Sequence, residues 1–249
     1  MSQFEVRLAT TQEEREAIYR FRYKIYIEEK KKYHIPADHE QKRMYDEADA
    51  YSALYYILEN GNMISSVRAM RGTDGAFLQR DIDFFGIAEF EKYFPHKELA
   101  IVNRLVVDAN FRNTQVINET LIATYKGGIN ASTKICFIIC DEWLLQRYEG
   151  FGSRIYGKPV ELKNKMKRYR LLLILRDCEY LKKVKSPHLP YADRNLDDQG
   201  EYARKVTALL GYPLSEGITP LSLKNKIKKA VYLAGLWFKQ QPHSLPQKT

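Results

Sequence analysis

The stretch Glu98-Leu-Ala-Ile-Val-Asn-Arg-Leu-Val-Val-Asp108 decides the fold. Its centre, Ile101 to Val107, is too apolar and β-branched for a surface loop and reads as a strand buried on both faces. Arg104 sits inside that run. A buried guanidinium without partners is costly, so it must meet carboxylates or a ligand anion. After the strand comes the polar turn Asp108-Ala-Asn-Phe-Arg-Asn-Thr114, and from about Gln115 a helical pattern begins. Strand, polar turn and helix N-terminus together form a geometry that holds phosphate groups.

Around this spine the chain is long enough, at 249 residues, for one large domain or a domain with an appendage. The net charge of +9 points to an acidic partner. Cys136, Cys140 and Cys178 lack CxxC spacing and any histidine pattern beside them, so buried free thiols are expected, with no metal. Met1-Ser-Gln-Phe-Glu-Val does not read as a signal peptide, and no stretch reaches the ~18 apolar residues of a membrane span. A cytoplasmic protein is expected.

Phe4, Val6 and Leu8 alternate as a first strand. Thr10 with Glu13 and Thr11 with Glu14 are two overlapping capping boxes for the next helix. That helix carries Ile18, Phe21, Ile25 and Tyr26 on one face, flanked by Arg20, Arg22 and Lys24. Residues His34 to Asp49 are irregular and polar, which suits a functional loop. Ser52–Leu58 and Met63–Met70 read as a hairpin about Asn60-Gly61, with Arg68 inside its second strand. Gly72–Pro95 reads as short helices. The helix after the spine should close at Gly127-Gly128. Lys134–Cys140 is a second buried strand, expected beside the spine and splayed from it at one end. Asp141 can cap a helix closed by Gly150-Phe151-Gly152, and Ser153–Val160 and Tyr169–Leu175 complete the strands.

The order of elements predicts an α/β chain of the α+β kind: a mixed, mainly antiparallel twisted sheet with helices on both faces. Residues 1–185 form that domain. Residues 186–249 read as a C-terminal helical extension, set off by Ser186-Pro-His-Leu-Pro190. Its last helix, about Leu223 to Gln240, is amphipathic and lysine-flanked. It docks on its own domain or touches an anionic membrane face peripherally.

These residues, in this order, resemble the GNAT-type acyltransferase fold, and more narrowly the acyl-homoserine lactone (autoinducer) synthases and the long-chain N-acyl amino acid synthases. The likeness lies in Arg22 and Tyr26 on the first helix and in Tyr45-Asp46 and Asp49 in the acidic loop. It continues through Ser66-Val67-Arg68, Asn103-Arg104-Leu-Val-Val-Asp108 and Gly150-Phe151, and covers about residues 1–180. Three positions depart from the family pattern. Ile101 stands where the family has a glutamate three residues before the strand arginine. Gln146 stands where a GNAT tyrosine protonates the leaving thiolate, with Tyr148 the nearest tyrosine. Gln115 and Ile117 replace the glycines of the coenzyme A loop that would start at Arg112.

The resemblance implies an acyltransferase moving an acyl group from a thioester to an amine, with no tightly bound cofactor. Glu98, Asp46 and Asp49 are the carboxylates available to help deprotonate the amine. Arg104 and Arg68 would pair with Asp46 and Asp49 and shape the acceptor pocket, or else be plain ion pairs of the sheet. Arg22, Tyr26, Arg68, Asn103 and Tyr148 would bind substrate. Leu105, Val106, Val107, Arg112 and Asn113 would hold the acyl-phosphopantetheine, with backbone N–H groups of the splayed spine facing the oxyanion.

Glycines let a backbone close on the diphosphate of coenzyme A. Their absence, with the basic charge, fits acyl carrier protein as donor, docking at clusters such as Lys163–Arg170 and Lys182–Lys185. The acceptor is an amino acid or a similar small amine. A homoserine lactone synthase using S-adenosylmethionine ranks lower, because Tyr33 stands where that family has a tryptophan and none precedes Trp143. A non-catalytic basic binding module ranks third, and no motif for nucleic acid is present.

Overall fold

The spine is β4 (Leu99–Val107), near the middle of an eight-stranded sheet. The computed structural model describes residues 4–112, 114–161, 167–192 and 194–219. Strand order is β1 (Glu5–Leu8), β2 (Ala53–Glu59), β3 (Asn62–Arg71), β4, β5 (Ile135–Asp141), β8 (Lys167–Ile174) and β6 (Ser153–Ile155). The short β7 (Val160–Glu161) also pairs with β8. All pairings are antiparallel except β4 with β5, which is parallel. The mixed, mainly antiparallel sheet expected from the sequence is therefore present.

The near-continuous apolar runs divide cleanly between two faces. Ala100 and Val102 of β4, Cys136 and Ile138 of β5, and Leu171 and Leu173 of β8 pack with α4 (Val116–Asn130). Their neighbours Leu99, Ile101, Ile135, Phe137, Leu172 and Ile174 pack on the other face. There they meet α2 (Gln79–Phe85), α3 (Ile87–Phe90) and α7 (Glu201–Leu210), through Phe85, Phe90 and Val206. Strands buried on both sides cannot alternate apolar with polar, which is why these read as solid hydrophobic runs. Between them, α5 (Leu145–Gly150) and α6 (Cys178–Lys183) close the α4 face through Tyr148 and Leu181.

Helix α1 (Gln12–Tyr23) starts at the second capping box: Glu14 N–H donates to Thr11 Oγ1, and Thr11 N–H to Glu14 Oε2. Ile18 and Tyr19 pack on Leu54 and Tyr56 of β2. The helix continues as a π-helical turn, Lys24–Glu29. The hairpin turns at Asn60 and Gly61, both at positive φ (49° and 78°), as a two-residue turn requires.

Four local expectations change. Gly127-Gly128 does not end α4, which runs on to Asn130. A Cβ on Gly127 would lie 1.7 Å from Tyr55 Oη, so the glycine admits β2 to the helix. The Ser153–Val160 strand is split into β6 and β7, with Gly157 between them at φ 65°. Asp141 makes no helix cap; its carboxylate pairs with Arg168. Arg22 does not flank the apolar face of α1 but is fully buried.

Candidate active site

Two irregularities in β4 make the site. First, β5 pairs with it only from Leu99↔Ile135 to Val102↔Ile138, after which the parallel strands part. From Asn103 onward, that edge of β4 has no strand partner among the described residues. Second, the β3 register slips between Ser66↔Val106 and Arg68↔Asn103, so β4 carries an extra residue. Arg104 takes up the slip with φ at 55°, in the left-handed region that a bulge uses and that side chains other than glycine seldom adopt. The bulge breaks the alternation of the strand. Val102, Asn103, Arg104 and Leu105, four residues in succession, consequently all line one cleft of about 470 Å³.

Behind that cleft lies a layer of buried charge. Asp46 caps the short turn Glu47–Ala50 and receives Arg68 Nη1 on Oδ1 (2.5 Å) and Arg104 Nη2 on Oδ2 (2.5 Å). Arg80 of α2 also donates to its Oδ2. Asp49, fully buried, pairs with Arg22 at 2.7 Å and Arg68 at 3.2 Å, and accepts the Asp46 N–H. Arg68 completes its fork on Asn103 Oδ1 at 2.9 Å. The pairing of Arg68 and Arg104 with the acidic loop is thus present, and it draws in two further arginines.

Burial pushes the Asp46 carboxyl up, but the Arg68 and Arg104 charges outweigh it and hold the group well below the ordinary carboxylate range. Such a group is a fixed anion and a poor base, contrary to one of the roles expected for it. Asp49 does not line the cleft, and neither does Arg22, whose place is under the acidic turn. Glu98 is at the far end of β4, paired with Lys134 at 2.7 Å, and is not brought to the cleft. Val106 packs against Phe21 and Ile25 and does not line the cleft. Asn113 lies outside the described residues. Ile101 is buried in the apolar layer beneath α2 and α3 and does not line the cleft.

Tyr26, Arg68, Asn103, Arg104, Leu105, Val107, Arg112 and Tyr148 do meet at the cleft. Lys30 and Lys32 reach over the Tyr26 ring, 5.6 and 5.7 Å from its centroid, and also line it. Cys140 lines it too. Burial, with the neighbouring Asp141 and Glu149 charges, pushes that thiol far up, so it is no thiolate nucleophile. Burial also raises the Tyr148 hydroxyl, which stays protonated and can donate.

Where the strands part, Val102 and Tyr148 line both the cleft and a second, apolar cavity of about 40 Å³. Leu121, Tyr125, Ile138 and Phe151 wall this cavity between the sheet and α4. The sequence reading missed it, and it missed Asp81 of α2, a carboxyl on the cleft wall whose Oδ2 is buried without a hydrogen-bond partner. The only signal for Asp81 was its place in the aromatic segment between β3 and β4.

Residues 21–121 match the model of the acetyltransferase (GNAT) domain. The match runs from α1 into α4, about two fifths of the chain. No curated protein sequence matches it. Among solved structures, this chain is similar in fold to BjaI, a coenzyme A-dependent acyl-homoserine lactone synthase. The TM-score is 0.59 at 14% identity, over 74% of this chain and 90% of that one. It is also similar to MesI, a second coenzyme A-dependent synthase of that kind (TM-score 0.57, 15% identity, 74% and 95% covered). A third is FeeM, an N-acyl amino acid synthase from uncultured soil microbes (TM-score 0.53, 12% identity, 76% and 98% covered). At these identities the likeness is one of fold.

Proposed function

We propose that this GNAT domain transfers an acyl group, of long chain, from the phosphopantetheine thioester of acyl carrier protein to the amine of an amino acid or a similar small amine. The observation that carries this reading is the shared wall of Val102 and Tyr148, where a charged cleft meets an apolar cavity at the parting of β4 and β5. A thioester carbonyl at that junction has the first carbons of its acyl chain on the apolar side, where about 40 Å³ is open, and its acceptor on the charged side.

The roles follow from the chemistry of the groups. The free edge of β4 near Leu105 presents backbone N–H groups to the tetrahedral oxyanion. Tyr148, protonated and at the junction, gives the leaving thiolate its proton. With Cys140 unable to act as a thiolate, the amine attacks the thioester directly. Lys30, Lys32 and Arg112 line the same cleft and suit the pantetheine phosphate.

Missing glycines after Arg112 and the net charge of +9 favour the carrier protein over coenzyme A as donor. Mass spectrometry of lipid extracts from cells expressing the protein tests the product: N-acyl amino acids or amines should accumulate. For the donor, the carrier-protein thioester should outperform its coenzyme A counterpart, and added salt should narrow the gap. Equal, salt-insensitive rates would remove the carrier-protein assignment.

A further inference from the structure

Exposed side chains at the mouth of the cleft have no part in the transfer described above: Lys31, Tyr33 and Trp143. Large aromatic rings left in water are unusual beside a run of lysines. Tyr33 is 61% exposed and Trp143 40%. Two short segments bring them to the rim. Lys30, Lys32, Ile35 and Pro36 line the cleft from the turn after the π-helical segment, and Trp143 and Leu144 line it from the 3-10 turn after β5. Lys31 turns the chain with φ at 52°, between the two lysines whose ammonium groups both reach the Tyr26 ring. The segments are close, since the charge of Asp141, two residues before Trp143, bears on the Lys30 ammonium.

The rim is cationic. Lys30, Lys31, Lys32, Arg112, Arg147 and Arg168 gather there, against Glu29, Asp141 and Glu142. Two of those acids are already engaged, Glu29 by Arg112 at 2.5 Å and Asp141 by Arg168 at 3.2 Å. Glu28, beside them, pairs with Lys42 at 3.4 Å. The lysine triplet and Arg147 therefore outweigh what is left.

We propose that this rim is a lipid-contact surface, which seats the mouth of the cleft on an anionic bilayer. Lysines alone would suit an acidic protein equally. Exposed tryptophan and tyrosine rings, with Ile35, Pro36 and Leu144 behind them, fit the headgroup boundary, where a ring keeps its polar edge in water and its face in hydrocarbon. Lysine stems lie along the same boundary with their charges among the lipid phosphates. On the acyl-transfer reading above, such a seat gives a long-chain product a lipid phase to enter as it leaves the cleft. The contact itself does not depend on that reading.

The apolar stripe Leu223, Ile227, Val231, Ala234 and Trp237, expected from the sequence to dock on its own domain or to touch a membrane, lies outside the described residues. The chain sets out toward it from beside the rim: the Thr219 carbonyl accepts a hydrogen bond from Gln146 Nε2 at 3.2 Å, three residues from Trp143. The test therefore has to tell the rim from that stripe.

Full-length protein is sedimented with vesicles of phosphatidylcholine alone, or of phosphatidylcholine with about one third phosphatidylglycerol. Binding to the anionic vesicles should be tighter by about tenfold or more, and should fall away between about 0.1 M and 1 M salt. Lys31→Glu combined with Tyr33→Ser, at positions that do not line the cleft, should weaken it by about tenfold or more, with thermal unfolding as the check on folding. The chain has two tryptophans, so Trp237→Phe leaves Trp143 as the sole reporter. Its emission should shift to shorter wavelength when anionic vesicles are added. Sedimentation with an unmoved Trp143 emission would put the contact elsewhere on the chain and overturn the assignment. So would equal binding to neutral and anionic vesicles, or binding to neither. A Trp143 shift produced by acyl carrier protein and not by vesicles would give the rim to a protein partner instead. None of these readings needs a substrate: a protein that binds anionic vesicles through Trp143 yet acylates no amine would support the lipid seat and remove the acyl-transfer reading.

Discussion

Arg22 and Asp49 form an ion pair at 2.7 Å with neither side chain exposed, joining α1 to the turn that precedes β2. The pair holds the floor of the cleft, because Asp49 also holds Arg68. Removing one member strands the other charge in a dry interior, which costs about 3–5 kcal/mol. Asp49→Ala should lose about that much in urea unfolding, and Arg22→Met should lose a similar amount. A loss below 1 kcal/mol in both would mean that the pair does not organise the fold here.

The Asp46 carboxyl gives a pH signature. Its folded value is depressed by Arg68 and Arg104, so its stabilisation is complete above the unfolded value, near pH 4, and is lost as pH falls toward the folded one. Asp46→Asn should therefore be less stable than wild type at pH 7, and the gap should shrink in acid. Urea titrations at pH 7 and pH 3 check this. Turnover should fall as well, since Arg104 loses the carboxylate that orients it.

The left-handed backbone at Arg104 separates the side chain's role from its backbone strain. Arg104→Gly and Arg104→Ala both delete the guanidinium, but alanine keeps the strain and glycine relieves it. The glycine variant should be the more stable by about 1 kcal/mol in chemical denaturation. Both should lose acceptor selectivity.

Gly127 reports on how closely β2 and α4 approach. An added Cβ would meet Tyr55 Oη at 1.7 Å and Cζ at 2.7 Å. Gly127→Ala should cost about 1–3 kcal/mol. Adding Tyr55→Phe, which removes the nearer atom, should recover part of that loss in a double-mutant cycle.

The sheet was legible because β4, β5 and β8 bury both faces and so write solid apolar runs into the chain. The hairpin was legible because Asn60-Gly61 specifies its turn. The Arg68–Asp46 and Arg104–Asp46 pairs were legible because arginines inside apolar strands demand partners. The bulge was not, since nothing in Asn103-Arg104-Leu105 announces a positive φ; only the β3 register reveals the extra residue. Glu98 was misplaced for the same reason: position along a strand does not tell which end meets the cleft. Arg22 reads as a flanking residue in the sequence because helical periodicity cannot see the buried carboxylate of Asp49, 27 positions away. Gly127-Gly128 imitates a helix stop, while its actual cause, Tyr55, sits on another strand.

The central claim is amide formation at the junction of cleft and cavity. The most direct measurement incubates the purified protein with a long-chain acyl carrier protein thioester and an α-amino acid, and follows product by mass spectrometry and free thiol by absorbance. The account predicts one N-acyl amino acid formed for each thiol released, with both abolished when the amino acid is omitted. Thiol release that is independent of the amino acid, or no acylated amine with either carrier-protein or coenzyme A donors, would contradict it.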